Sequence, residues 1–313
     1  MPYNSQISRS DAEALIPEDV QREIVQGVVE QSTVLRLGKK LANMTRNQRR
    51  MPVLSLFPTG YFVTGDSGLK KTTDIQWENK YINAEEIAVI APIPEAVLDD
   101  VDYDIWGELK PQIVAEFGRV FDAAVMFGDN APTDWPTDLL AGAVAAGNDV
   151  TLGTGADLYT DLMEEDGVIA ALESDGFMSS GAVAGLSMRA KLRGVRDADG
   201  GLIFQRSMQE KAGYTLDGEP IYFPRNGSWD STQAHLIAGD WTKLVYSIRQ
   251  DITYKILTEA VIQDASGNIV YNLAQQDMVA LRAVMRLGWQ VPNPINRIQE
   301  TEANRYPFAA LIP

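Results

Sequence analysis

The chain has 313 residues, enough for one large domain or two medium ones, and carries 27 Lys and Arg against 43 Asp and Glu. A net charge of −16 argues against a general nucleic-acid-binding protein, because basic side chains that neutralise phosphate supply most non-specific affinity. With no cysteine and one histidine, disulfides, thiolate metal sites and multi-histidine zinc sites are excluded.

The start of the chain is polar and shows no signal peptide, and no apolar run approaches the length of a membrane span. We therefore expect a protein made in a cytosol, with no membrane partner. Residues 1–16 have no regular pattern, and Pro17 then opens a helical one. Its apolar side is formed by Val20, Ile24, Val28 and Leu35. This pattern predicts an amphipathic helix that must lie against another surface.

Charge is distributed unevenly along the chain. Residues 36–50 hold six basic side chains and no acidic one. Residues 95–138 hold eleven acidic side chains, opposed only by Lys110 and Arg119. The two segments are either two solvated faces or complementary surfaces that meet between subunits, and the sequence leaves both interpretations open.

A flat, exposed hairpin is predicted between residues 51 and 93. Residues 51–63 are rich in β-formers, residues 64–71 form a polar, glycine-bearing tip, and residues 75–93 form a second extended stretch. An isolated hairpin is at best marginally stable in water. We therefore expect another copy of the same chain to cover it.

The longest helix is predicted near residues 105–127, where apolar side chains recur at helical spacing. Asp104 is a suitable N-cap, and Gly128 is a suitable stop. Pro111 interrupts the pattern, so we expect either a kink or a helix that begins near Pro111 and runs about 25 Å to residue 127.

The next stretch, residues 139–155, consists largely of small side chains and is predicted to be a loop. Residues 157–172 form a helical pattern weakened at Gly167, and residues 188–195 form a shorter one. Both indicate helices packed in the second half of the molecule.

The last third of the chain has the pattern of strands. Turns at Asp217-Gly218 and Asn226-Gly227 separate short apolar stretches. Between residues 279 and 291 every odd position is apolar, which predicts a long strand with one buried face. The elements together indicate an α+β fold.

Motifs that would carry chemistry are incomplete. Acidic side chains at 100, 102 and 104 resemble the start of a calcium loop, but Ile105 and Pro111 occupy the positions that need glycine and glutamate. Gly153 and Gly155 lack the third glycine and the preceding apolar strand of a dinucleotide fingerprint. His235 has no Gly-x-Ser-x-Gly elbow to serve. We therefore assign no catalytic, cofactor or metal residue. An acidic hydrolase with paired carboxylates needs no motif and stays open as an alternative.

The order of these elements resembles the major capsid protein of tailed bacteriophages, the Hong Kong 97-type fold. The similar segments are residues 15–41 (core LIPEDVQREIVQGVVEQSTVLRL), 93–100 (IPEAVLDD) with the following helix, 216–223 (LDGEPIYF), and 238–252 (opening AGDW) followed by 276–282 (QDMVALR). They cover nearly the whole chain.

The resemblance implies a division of the chain. This division is an N-terminal arm (1–48), an extended β-hairpin loop (49–94), a peripheral domain with a long spine helix (95–150), an axial domain (151–245) and a return to the peripheral domain (246–313). The implied subunit contacts of the hairpin loop are Tyr61, Phe62, Lys70, Lys71 and Trp77. Those of the arm are Ile24, Val28, Arg46, Arg49 and Arg50, the three arginines facing acidic neighbours.

The implied function is structural: a subunit that self-assembles into pentamers and hexamers of an icosahedral head around double-stranded DNA, without sequence-specific binding. An encapsulin-type nanocompartment shell is the alternative within the fold. Implied partners are further copies of the chain, a portal, a separate scaffold and optionally a decoration protein, in a virion made in the host bacterial cytoplasm. Some members of the family cross-link a hairpin lysine to an asparagine; Lys70 and Lys71 match the lysine, but no asparagine partner aligns.

Overall fold

The computed structural model describes residues 32–63, 68–100, 105–196, 214–264 and 266–313. The helices are α1 (Thr33–Leu37), α2 (Glu95–Asp100), α3 (Ile105–Phe127), α4 (Leu139–Ala146), α5 (Leu158–Met163), α6 (Val168–Ser174) and α7 (Met188–Gly194). The strands are β1 (Lys39–Lys40), β2 (Gln48–Leu56), β3 (Gln76–Asn83), β4 (Glu85–Pro94), β5 (Asp149–Thr151), β6 (Gly181–Ala184), β7 (Thr215–Leu216), β8 (Glu219–Tyr222), β9 (Leu236–Gly239), β10 (Val245–Leu257), β11 (Val261–Gln263), β12 (Ile269–Asn272), β13 (Met278–Gln290) and β14 (Phe308–Ile312).

A four-stranded sheet in the order β1-β10-β13-β4 supports α3. The odd positions of β13 from Leu281 to Trp289 are buried in one core with Phe117 and Phe121 of α3, as the alternating pattern predicts. The expectation of a single buried face is too simple, because Val284 and Gly288 on the even positions are buried as well.

Helix α3 is one helix of 23 residues, with Pro111 inside it. The helix therefore begins at Ile105 and is about 35 Å long, so a start near Pro111 is wrong. Pro111 lies in the second turn, where its missing N–H removes one backbone bond while the rest of the helix is held by packing. The predicted stop is confirmed, since Gly128 follows the helix with φ of +71°. The proposed cap, Asp104, lies outside the described residues.

A six-stranded sheet in the order β5-β14-β9-β6-β8-β7 forms the second part of the molecule. Its core includes the side chains of Leu162, Leu172 and Leu192 from α5, α6 and α7. The predicted Asp217-Gly218 turn joins β7 to β8, with positive φ at both residues. The turn expected at 197–201 lies outside the described residues.

Residues 139–155 are not a loop. They form α4, capped by Asp138, whose carboxylate accepts from the N–H of Ala141, and ended by Gly147 in the left-handed region. They also form β5, which pairs in parallel with β14. The helix expected over 157–172 is two helices, because the chain turns at residues 164–167 between α5 and α6.

Strand β14, near the end of the chain, belongs to the six-stranded sheet and not to the sheet that supports α3. It lies between β5 and β9 in the six-stranded sheet, although residues 246–313 were expected to return to the part built around α3. Its side chains from Phe308 to Leu311 are all buried, which suits a central strand covered on both faces.

Candidate interaction surface

The predicted hairpin exists, and it consists of β2 and β3 alone. The strands pair antiparallel from Gln48↔Asn83 to Leu56↔Gln76, with one irregularity after Leu54, as a separate two-stranded sheet. The second extended stretch was expected to run from 75 to 93 as one strand. It is two strands, because the chain leaves β3 at Ala84 and joins the four-stranded sheet as β4 beside β13.

The root of the hairpin is fixed by contacts with the body. A Cβ at Gly288 would lie 2.1 Å from the carbonyl oxygen of Asn83, so only glycine allows β13 to pass under the end of β3. The indole N–H of Trp135 donates to that same oxygen at 3.1 Å. The Lys80 ammonium lies 2.6 Å from the Glu302 carboxylate, and these contacts set the direction in which the hairpin leaves the body.

The far part of the hairpin, described over residues 57–63 and 68–75, has no strand structure but is held across its width. The backbone N–H of Thr59 donates to Thr73 Oγ1 at 2.9 Å. The Tyr61 hydroxyl donates to the Lys71 carbonyl at 2.9 Å, and the Lys71 ammonium lies 5.8 Å from the Tyr61 ring centre. Tyr61 and Lys71 therefore brace the loop as well as being exposed at its surface.

Large apolar side chains are exposed along the whole hairpin. Phe62 (104%), Leu69 (90%) and Trp77 (66%) are the most exposed of them. Further exposed members are Leu56, Tyr61, Val63, Ile75 and Tyr81. Large exposed apolar surfaces on a soluble protein mark interaction sites, and aromatic side chains are enriched at protein interfaces. We call this set, together with Lys70 and Lys71, the hairpin surface.

A second exposed apolar hairpin lies at the far end of β10 and β13. It is formed by β11 and β12, which pair as their own two-stranded sheet, and it exposes Val261, Ile269, Val270 and Tyr271. This hairpin was not predicted from the sequence, although the β-branched run around residues 268–272 is a visible signal.

The basic residues expected to contact acidic neighbours are not equivalent. The Arg49 guanidinium donates to the carbonyls of Ala42 and Asn43, at 2.7 and 3.2 Å, and so stabilises the turn before β2 within its own subunit. Arg46 and Arg50 are exposed. Ile24 and Val28 lie outside the described residues.

The acidic segment is not wholly a surface feature. Asp122 on α3 is buried, and its carboxylate accepts from Ser32 Oγ, from the N–H groups of Thr33 and Val34 at 2.8 and 3.1 Å, and from the Asn226 amide at 3.0 Å. Burial raises the pKa of Asp122, and the four donors work against that rise. Asp122 thereby joins α3 to the start of α1. This role could not be predicted from the sequence, because Asp122 interrupts an apolar stretch without belonging to a motif.

Of the motifs considered for chemistry in the sequence, those that lie in the described residues have structural roles. The carboxylate of buried Asp161 accepts from the N–H groups of Gly153 and Gly155, each at 2.7 Å, so the glycine turn binds the chain's own aspartate. The strand before this turn, β5, has only three residues, Asp149-Val150-Thr151, and is not the apolar strand that a dinucleotide fingerprint needs. Within the described ranges no group of three or more His, Cys, Asp or Glu could hold a metal ion.

The side chain of His235 is partly buried, with Nε2 3.4 Å from the Lys191 ammonium. Burial, and then the Lys191 charge, lower the pKa of His235. Among all the residues that the structure describes, no helix is long and apolar enough to cross a membrane.

Comparison with known proteins gives consistent matches over nearly the whole length. Residues 12–298 match the model of the phage capsid family. The chain is 28% identical over 275 residues to the major capsid protein of Staphylococcus phage 80alpha, covering 86% of this chain and 79% of that protein. A solved structure from Microbacterium phage Oxtober96 superimposes with a TM-score of 0.86 and 38% identity, covering 99% of this chain and 100% of the other. One from Mycobacterium phage Adephagia gives 0.83 and 31%, covering 99% and 98%.

Proposed function

The chain belongs to the phage capsid family, and we propose that it is the subunit whose pentamers and hexamers build an icosahedral head around double-stranded DNA. The observation that carries this proposal is the hairpin surface. Trp77 is exposed on a two-stranded sheet that projects from a body with its own buried cores, and Phe62 and Leu69 are exposed on the far part of the same hairpin. A second copy of the chain that covers this surface removes the cost of exposing it.

The mechanism is assembly through contacts of different surfaces on neighbouring subunits. A hairpin that lies on the body of the next copy makes a head-to-tail contact, and such contacts close into rings when the rotation between copies allows it. Both edges of the β2–β3 sheet also offer backbone N–H and C=O groups to a neighbour. Binding energy is then spread over several moderate contacts, which lets the same subunit occupy rings of five and six.

The proposed division of the chain follows the Hong Kong 97-type fold. In it, the peripheral domain corresponds to α3 with the four-stranded sheet, and the axial domain to the six-stranded sheet, which includes β14. The β2–β3 hairpin is the extended loop. Residues 1–48 are the arm that reaches neighbouring subunits.

Partners beyond the chain itself are also proposed. A shell needs an entry point for DNA, which a portal supplies, and we propose a separate scaffold protein and room for a decoration protein. The net charge of −16 suits a container that encloses DNA without holding it. Virions would assemble in the cytoplasm of the bacterial host.

The matched relatives favour this proposal over both alternatives. An encapsulin-type compartment would enclose cargo enzymes, but the named curated relative is a phage major capsid protein. An acidic hydrolase would need paired carboxylates in a pocket, whereas the family consists of structural capsid proteins. Genes for a portal and terminase beside this one would agree with the phage assignment, and a cargo peroxidase gene would contradict it.

The test is expression of the chain alone and with its neighbouring genes, followed by size separation and negative-stain electron microscopy. Closed polyhedra or rings of five and six are expected. Deleting residues 65–71, the end of the hairpin, should leave a folded subunit that cannot close a shell. Normal particles from that deletion, or monomers in every co-expression, would contradict the proposal.

A further inference from the structure

An open apolar groove lies between α3 and the four-stranded sheet, beside the point at which the described chain begins. It has a volume of about 310 Å³. Val114, Phe117 and Phe121 of α3 line one side, and Ile252 and Met285 of the sheet line the other. Val114 is exposed at its edge, although it is a large apolar side chain on a helix that otherwise buries this face. The groove therefore has the character of a core that lacks one packing partner.

The chain leading into α1 enters the molecule at this groove. Ser32 lines it, and a Cβ at Gly118 would lie 3.1 Å from the backbone nitrogen of Ser32, so the chain crosses α3 in close contact with that glycine. The Asp122 carboxylate fixes the crossing point through the hydroxyl of Ser32 and the N–H of Thr33. Residues directly before Ser32 must therefore start their course from the edge of the groove.

We propose that the chain's own residues 17–31 fill this groove, with Val28 and Ile24 as the two anchoring side chains. This assignment replaces the contacts with a neighbouring subunit that the resemblance implied for these two residues. The sequence places both on the apolar side of a predicted helix, and four residues correspond to a rise of about 6 Å. The groove follows α3 from Val114 to Phe121, a rise of about 10 Å, which is long enough for two such side chains.

Covalent connection favours the same chain as the occupant. Val28 is only four residues from Ser32, a distance of at most about 14 Å even when the chain is fully extended. A tethered segment of this length is present at an effective concentration in the millimolar range, which a second subunit must exceed to displace it. Residues 1–16 remain available for contact with a neighbour, so this anchor fixes the root of the arm.

The test uses the absence of cysteine from the chain, which gives a clean background for cross-linking. The full-length variant with Val28→Cys and Val114→Cys is oxidised as a dissociated subunit and in assembled particles, and then denatured without reductant. Loss of both thiols at monomer mass is expected. The matched control is Gln26→Cys with Val114→Cys, because position 26 lies on the opposite side of the predicted helix and should keep both thiols.

Three results would overturn the proposal. Cross-linked dimers would assign the groove to the arm of a second copy, and equal reaction of the two pairs would remove the preferred face. Failure of both pairs to react would leave the groove without this occupant. A second measurement guards against a strained disulfide: the single Val114→Cys thiol should react more slowly with maleimide in the full chain than after deletion of residues 1–31, and equal rates contradict the proposal. Because the dissociated subunit suffices, failure of shell assembly does not affect the result.

Discussion

Replacing Phe62 and Trp77 with serine separates folding from assembly. Phe62 is fully exposed and Trp77 is 66% exposed, so neither contributes much to the stability of the isolated subunit. If a neighbouring copy buries both, each contributes about 2 kcal/mol to the contact. The sum, about 4 kcal/mol per subunit, corresponds to a change in association of roughly 10³-fold at 1.4 kcal/mol per factor of ten.

The assay measures the subunit concentration at which half of the protein is in particles, by light scattering and sedimentation. The double variant should need a concentration about three orders of magnitude higher, with an unchanged melting temperature of the free subunit. Phe62→Leu with Trp77→Phe is the matched control, since it keeps an apolar surface and should assemble at a similar concentration. Normal assembly of the serine variant would refute the assignment of the hairpin surface, and a lowered melting temperature would mean that these side chains stabilise their own subunit.

Three further predictions concern the subunit itself. Asp122→Ala leaves four donors, three of them buried, without their acceptor and should lower the free energy of unfolding by about 3–5 kcal/mol in denaturant titration. A loss below about 1 kcal/mol would contradict the role of Asp122 in joining α3 to α1. The pKa of His235, the single histidine, should lie below 6.5 in NMR titration of the unassembled subunit and should rise in Lys191→Met. Because the pKa is lowered in the folded state, the contribution of His235 to stability is present above its unfolded-state pKa and is lost as the pH falls through the folded-state pKa. An unshifted pKa would be inconsistent with this environment. Asp161→Asn places an amide NH₂ group against one of two backbone N–H donors and should cost about 1–3 kcal/mol of stability, measured as a lower melting temperature. An unchanged melting temperature would mean that the turn does not depend on the carboxylate.

Elements with a long, regular pattern could be predicted from the sequence. Strand β13 shows its alternation over thirteen residues, and α3 shows helical spacing with Gly128 as a stop. Helix α4 was missed because its side chains, LLAGAVAA, have no polar face to create a period. Its caps, Asp138 and Gly147, were nevertheless visible signals at the right spacing.

Features that depend on tertiary contacts were beyond the sequence. The break at Ala84, which moves the chain from the hairpin to the four-stranded sheet, has no periodic signature, because β3 and β4 are both extended. The burial of Asp122 follows from the approach of residues 32–34 to α3, which no local pattern encodes. The exposed aromatic side chains of the hairpin were predictable, since an apolar run around a polar tip has no room to bury both faces.

The most direct measurement is a cryo-EM reconstruction of assembled particles at side-chain resolution. We expect a second copy of the chain to pack within about 4.5 Å of Phe62 and Trp77 in both rings of five and rings of six. Particles in which these two side chains face solvent, or contact only their own subunit, would contradict it.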